Sequence, residues 1–175
     1  FELEFSSPLK DVIGVRVRHH RGGDDSLSFD LTDNTPATQF VEDDAGVQLT
    51  SGALTAQLSK GEAFNLEFIA ANQVITHQRA KGISIFKDGA AHYLSAQINL
   101  GVGELVYGLG ERFTAFAKNG QSVDIWNADG GTSSEQAYKN IPFYLTNRGY
   151  GVFVNNTGKV SFEVASETVE KVQFS

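Results

Sequence analysis

The 175-residue chain has no cysteine, no methionine and only three prolines. Without cysteine there is no disulfide scaffold and no thiolate metal site, and such a chain fits a reducing cytoplasm. No apolar run approaches the roughly 20 residues that a membrane-spanning helix needs. Basic residues are outnumbered, 14 Lys and Arg against 21 Asp and Glu, for a formal charge of −7. With no basic block, neither nucleic acid nor an anionic membrane is an expected partner. Helical periodicity is also missing. Only Thr132 to Lys139 is a candidate for a short helix, with too little apolar content to anchor one.

What the chain has in quantity is Phe, Val, Ile and Gly, with 13 Phe and 18 Gly. Apolar residues alternate with polar ones in short runs. Phe1, Leu3 and Phe5 form one such run, and Ile13, Val15 and Val17 a second that ends at His19-His20. Residues 26–45 have weak periodicity and read as loop with one short strand. Val47 and Leu49 open the next strand, and 53–69 reads as a hairpin around Lys60-Gly61. Strands follow at Val74 to Thr76, Ile83 to Ile85, Tyr93 to Leu100 and Leu105 to Leu109. Glu111 to Ala117 reads as a strand that Asn119-Gly120 turns back into Val123 to Trp126, because Asn-Gly favours a two-residue hairpin turn. Another hairpin is centred on Asn147-Arg148-Gly149, and Val160 to Val164 and Val169 to Phe174 complete the pattern. Short strands separated by turn signals at this spacing predict an all-β, antiparallel β-sandwich spanning residues 1–175 as one domain. The start at Phe1, the lack of any Met and the stop inside a strand pattern at Val172-Gln173-Phe174-Ser175 lead us to expect a fragment of a longer chain.

The densest chemistry lies between Tyr107 and Asn147. This stretch holds the only Trp, Trp126, followed by a polar run from Asn127 to Asn140 with almost nothing to bury. Polar loops held between strands are where function concentrates. Trp126 can serve as core or as a platform for a sugar ring, and the residues alone leave both open. Gly101-x-Gly103 and Gly108-x-Gly110 invite a phosphate-loop reading. They lack the third Gly and the following helix that a dinucleotide fingerprint needs, so they read as turn or bulge glycines. The four His, at 19, 20, 77 and 92, show no ligand spacing, and no metal is expected. No G-x-S-x-G pattern is present. Glu111, Asp124, Asp129 and Glu135 are candidates for a glycosidase carboxylate pair, though 21 acidic residues make chance proximity common. Glu42-Asp43-Asp44 reads as solvated surface. Asn155-Asn156-Thr157 is a formal glycosylation sequon, a pattern too short to carry weight.

Tyr107-Gly108-Leu109-Gly110-Glu111-Arg112-Phe113 resembles a signature of the N-terminal domain of glycoside hydrolase family 31. The resemblance continues through Asn119-Gly120-Gln121, Trp126-Asn127, Asp129-Gly130-Gly131-Thr132, Glu135 to Asn140 and Ile141-Pro142-Phe143-Tyr144. It extends through Thr146 to Val152 and on to Lys171 to Ser175, and is similar to the bacterial α-xylosidase branch. It implies a galactose-mutarotase-like β-sandwich (a supersandwich) that precedes a (β/α)₈ barrel. That barrel carries both catalytic aspartates of a retaining exo-α-glycosidase that needs no cofactor. On this resemblance the chain holds no catalytic residue and is inert alone. Asp129 is the position that hydrogen-bonds the sugar, with Thr132 and Trp126 as further substrate contacts. The implied partners are an α-linked oligosaccharide or xyloside, the downstream barrel and, through oligomers in this branch, further copies of the chain. A freestanding mutarotase-like epimerase using His and Glu, and a non-catalytic carbohydrate-binding module, are the competing readings, because fold alone does not separate them.

Overall fold

A computed structural model describes residues 2–18, 28–29, 34, 36–128 and 137–175. Every regular element among them is a strand. In chain order these are β1 Glu2–Ser6, β2 Gly14–Arg18, β3 Thr38–Glu42, β4 Gly46–Ser51, β5 Leu54–Ser59, β6 Leu66–Ala70, β7 Gln73–Gln78 and β8 Ile83–Asp88. They continue as β9 Ala91–Asn99, β10 Val106–Gly108, β11 Gln121–Ile125, β12 Phe143–Thr146, β13 Gly151–Phe153, β14 Val160–Val164 and β15 Lys171–Phe174. The chain divides into two compact units, residues 1–26 with 30–81, and residues 27–29 with 82–175.

In the first unit β3 to β7 form an antiparallel meander in sequence order, and β1 pairs with β2 as a separate ribbon. Burial picks out isolated positions on β4, β5 and β6, while β3 is exposed along its whole length. Leu49, Ala56 and Leu66 are buried, and Ala56 and Leu49 face each other across β4 and β5. The meander fits the expected 53–69 hairpin and adds a bulge between Phe68 and Ile69. Residues 26–45 supply one strand, β3, and the rest of that stretch lies largely outside the described residues. The β6–β7 turn is built from Ala71 at φ 49° and Asn72 at φ 59°. A two-residue turn of this hand needs left-handed backbone at both positions, where a Cβ is strained. Replacing Ala71 with Gly relieves roughly 1–2 kcal/mol of strain against roughly 0.4–1 kcal/mol of added freedom in the unfolded chain. The expected result is a small gain in stability by urea unfolding, and a loss would contradict this account of the turn.

The second unit is the sandwich. Its five-stranded sheet runs β11-β14-β15-β9-β8 and its three-stranded sheet β10-β12-β13. Inward residues of both fill one core: Val106 and Tyr144 from the smaller sheet, and Val123, Ile125, Val160, Phe162, Val164 and Val172 from the larger. The Tyr144 and Phe162 rings meet edge to face at 6.4 Å and 88°, a direct contact between the two layers. The hairpin about Asn147-Arg148-Gly149 forms as expected, with Gly149 N–H donating to Thr146 O at 3.1 Å. Val169 is not part of a strand; it is 84% exposed in the turn before β15.

The Asn119-Gly120 hairpin does not form. Residues 111–117 are not a strand, and β11 pairs with β14 instead. The reason lies in Asn119, whose side chain is used elsewhere. Its Oδ1 accepts from Val106 N–H at 2.9 Å, and its Nδ2 donates to Glu104 O at 3.0 Å. Gly120, at φ 83°, then donates its N–H to Val164 O at 2.7 Å. Asn-Gly thus turns a loop into β11 and does not join two paired strands.

Candidate functional site

The site is built around β11. Val123 and Ile125 point into the core, so period-two alternation sends Ser122 and Asp124 outward, and Trp126 continues that face. Trp126 is 58% exposed within this chain. It borders an open cleft of about 810 Å³ lined by Arg112, Thr114, Gln121, Ser122, Asp124 and Lys159, among others.

Asp124 is the charged centre of this cleft. Lys159 Nζ lies 2.7 Å from its Oδ2, and the Ser161 hydroxyl donates to its Oδ1 at 2.6 Å. Both partners come from β14 or the turn before it, where Ser161 is the register partner of Asp124. The hydrogen bond from Lys159, and then that from Ser161, hold the Asp124 carboxyl below the ordinary aspartate range. A carboxyl depressed in the folded state contributes stability above its unfolded pKa and loses it as pH falls through the folded one. Lys159→Met is therefore expected to raise the Asp124 pKa, read from its side-chain carbon shift in an NMR titration. The stability gap to the parent should shrink toward low pH. An unchanged titration would show that the pair does not form in solution.

The polar run after Trp126 is held at both ends. Asn127 and Ala137 form an isolated parallel bridge, and Ala128 N–H donates to Ala137 O at 3.1 Å. Asn140 closes this base. Its Nδ2 lies 2.9 Å from Trp126 O, 2.9 Å from Asn127 Oδ1 and 2.7 Å from Ala137 O, and its two N–H groups are shared among these three acceptors. Its Oδ1 accepts from Arg112, whose guanidinium also donates to Asp124 O at 2.7 Å and Leu109 O at 3.2 Å. One guanidinium and one carboxamide therefore tie together β11, the residues after Gly110 and both ends of the loop. Glu111 adds a second link through its N–H to Lys139 O at 2.9 Å and an exposed ion pair with Lys139 Nζ at 2.9 Å.

The segment that feeds Arg112 into the site is shaped by three successive residues with positive φ: Gly108 at 108°, Leu109 at 64° and Gly110 at 87°. Leu109 is fully buried, and the two glycines pass against the backbone of 139–144. These are turn glycines, as their spacing suggested. Downstream, Lys118 is only 4% exposed. It donates to Thr114 Oγ1 at 3.0 Å and Ala115 O at 2.8 Å, gathering the 112–118 loop around one ammonium. Burial, and then the neighbouring Arg112 charge, lower its pKa. Gln121 Nε2 caps the same loop at Ala117 O, 2.8 Å away.

Among the residues picked from sequence, Trp126 lies on this face, whereas Asp129 and Thr132 lie outside the described residues, as does Glu135. Most of the candidate 132–139 helix is outside them too, and residues 137–139 are not helical. Of the carboxylate candidates, Glu111 and Asp124 are each engaged by a lysine. His92 sits opposite Lys87, and His77 is the cross-strand partner of Glu67, which also meets Arg79 at 3.5 Å. Arg112, Asn140 and Lys159 carry much of the geometry, and no sequence motif marks them as site residues. The local signals were an Arg beside a Gly-x-Gly turn and an Asn at the far end of the polar run; the Lys159 contact depends on strand register alone.

Comparison with known proteins agrees with this fold. The chain is 43% identical to the alpha-xylosidase XylQ of Lactiplantibacillus pentosus over 99% of its own length. It is 39% identical to an alpha-xylosidase of Emericella nidulans over 97%. It spans only 23% and 25% of those two proteins. In structure it matches a GH31 dextranase from Flavobacterium johnsoniae with a TM-score of 0.72 at 23% identity, over 86% of this chain and 19% of that one. The family model described as the glycosyl hydrolase 31 N-terminal galactose mutarotase-like domain matches residues 2–163, and the chain belongs to that family.

Proposed function

We propose that the chain is the N-terminal accessory domain of a retaining exo-α-glycosidase of the α-xylosidase kind, which hydrolyses terminal α-linked sugars. The observation that carries this is 43% identity to an alpha-xylosidase across 99% of the chain, together with coverage of only 23% of that relative. In this reading the catalytic aspartates lie on a downstream barrel, and the domain alone is inactive. Its part is to shape the substrate pocket through the loop after Trp126. Asp129 accepts hydrogen bonds from vicinal sugar hydroxyls, Thr132 is a second contact, and Gly130-Gly131 lets the backbone approach the sugar. The loop base held by Arg112 and Asn140 supports the reading, since a substrate contact needs a fixed support.

A chimaera tests it. The chain replaces the N-terminal quarter of the Lactiplantibacillus pentosus alpha-xylosidase, and hydrolysis of an aryl α-xyloside is measured. The expected result is an active chimaera whose Asp129→Ala variant has a raised KM and at least tenfold lower kcat/KM, equivalent to losing about 1.4 kcal/mol or more of binding. The 175-residue chain alone should release no xylose. A folded but inactive chimaera, an active isolated chain, or an Asp129→Ala variant with parental kinetics would each count against the proposal.

A further inference from the structure

The cleft beside Trp126 has a chemistry of its own. A single exposed aromatic needs no explanation. Here the exposed indole shares a face with a carboxylate two positions earlier in β11. The strand rise puts those two positions about 7 Å apart, close to the width of one pyranose ring. Asp124 has each oxygen engaged once, by Lys159 and by Ser161, and each oxygen keeps a lone pair. Lys159 is 57% exposed and brings two more N–H donors to the same spot. A carboxylate beside an ammonium is a matched acceptor and donor pair for neighbouring sugar hydroxyls, and an indole face suits the apolar face of the ring.

The charges favour a neutral ligand. Asp124 and Lys159 neutralise each other at 2.7 Å. Arg112, the other cation of the cleft, directs its guanidinium to Leu109 O, Asp124 O and Asn140 Oδ1. We propose that the cleft formed by Trp126, Asp124 and Lys159 is a carbohydrate subsite that takes a neutral pyranose unit. This deepens the functional reading above and rests on it for the identity of the sugar chain.

Trp126 is the only tryptophan, so intrinsic fluorescence of the 175-residue chain reports on this one side chain. Glucose, xylose and an α-xylosyl-glucose disaccharide are titrated into the parent, Lys159→Met, Asp124→Asn and Asp129→Ala proteins, with circular dichroism confirming that each is folded. The expected result is a saturable emission change with glucose, weakened about tenfold or more in Lys159→Met and Asp124→Asn and retained in Asp129→Ala. The two cleft variants change different elements, so a folding defect in one leaves the other to decide. A parent that shows no saturable change with any of the three sugars overturns the subsite. So does binding that Asp129→Ala abolishes while Lys159→Met and Asp124→Asn keep it, an outcome that leaves the loop and the enzyme reading intact. Cleft binding beside an inactive chimaera would instead remove the enzyme reading and keep the subsite.

Discussion

Gly110→Ala is expected to be among the most damaging single-methyl additions in this chain. Gly110 has φ 87°, so any Cβ starts strained. That Cβ would also overlap Lys139 O and lie 3.0 Å from both Asn140 Cα and Ile141 N. All three are backbone atoms, so no side chain can swing away. The two segments must part, and parting them breaks the bond from Glu111 N–H to Lys139 O. Strain alone accounts for roughly 1–2 kcal/mol, and overpacking adds roughly 1–3 kcal/mol. At about 2–4 °C per kcal/mol for a chain of this length, the melting temperature should fall by about 10 °C. Gly103→Ala is the control, because Gly103 also has positive φ (71°) but a Cβ there meets nothing within 4 Å. It should show the strain without the clash, a drop of a few degrees. Equal drops for the two variants would mean that the turn is not packed against 139–141.

Asn140→Asp should loosen the polar loop while sparing the core. Aspartate keeps an acceptor for Arg112 and turns that contact into an ion pair. It loses the donors to Trp126 O, Asn127 Oδ1 and Ala137 O, and sets a negative charge beside three oxygens. The two N–H donors, at about 1 kcal/mol per hydrogen bond, amount to roughly 2 kcal/mol of local stability. The Ala128 amide, bonded to Ala137 O, reads this directly. Its hydrogen exchange should accelerate roughly thirtyfold, while core amides such as Phe162 change little. Acceleration below about threefold would show that the bridge between 127 and 137 holds the loop without Asn140.

Both predictions concern contacts that lie close in the fold but apart in the chain. The strands around them were largely readable beforehand. Alternation at Val160, Phe162 and Val164, or at Leu54, Ala56 and Leu58, marks a strand with one buried face wherever it pairs. The turn glycines at 103, 108 and 110 were readable for a similar reason, since a missing third Gly and absent helix left turns as the remaining role. Asn119-Gly120 misleads because its dipeptide preference is local, while the Asn119 side chain finds its partners at Glu104 and Val106. Trp126 was ambiguous because a residue at the end of a strand does not declare which face is covered.

An all-β chain without disulfides that belongs with the N-terminal domains of family 31 can be read from the residues in order. Those properties follow from composition, period-two patterning and contiguous motifs, all of which are local along the chain. The pairing of β11 with β14, which brings Lys159 and Ser161 to Asp124, emerges only on folding. So does the hydrogen bond that Arg112 and Asn140, 28 positions apart, share at the base of the polar loop. The physical reason is register. A strand carries its facing pattern in its own residues, but its neighbours are chosen by the packing of the whole core, and a shift of one residue would send Asp124 inward and leave Lys159 without it.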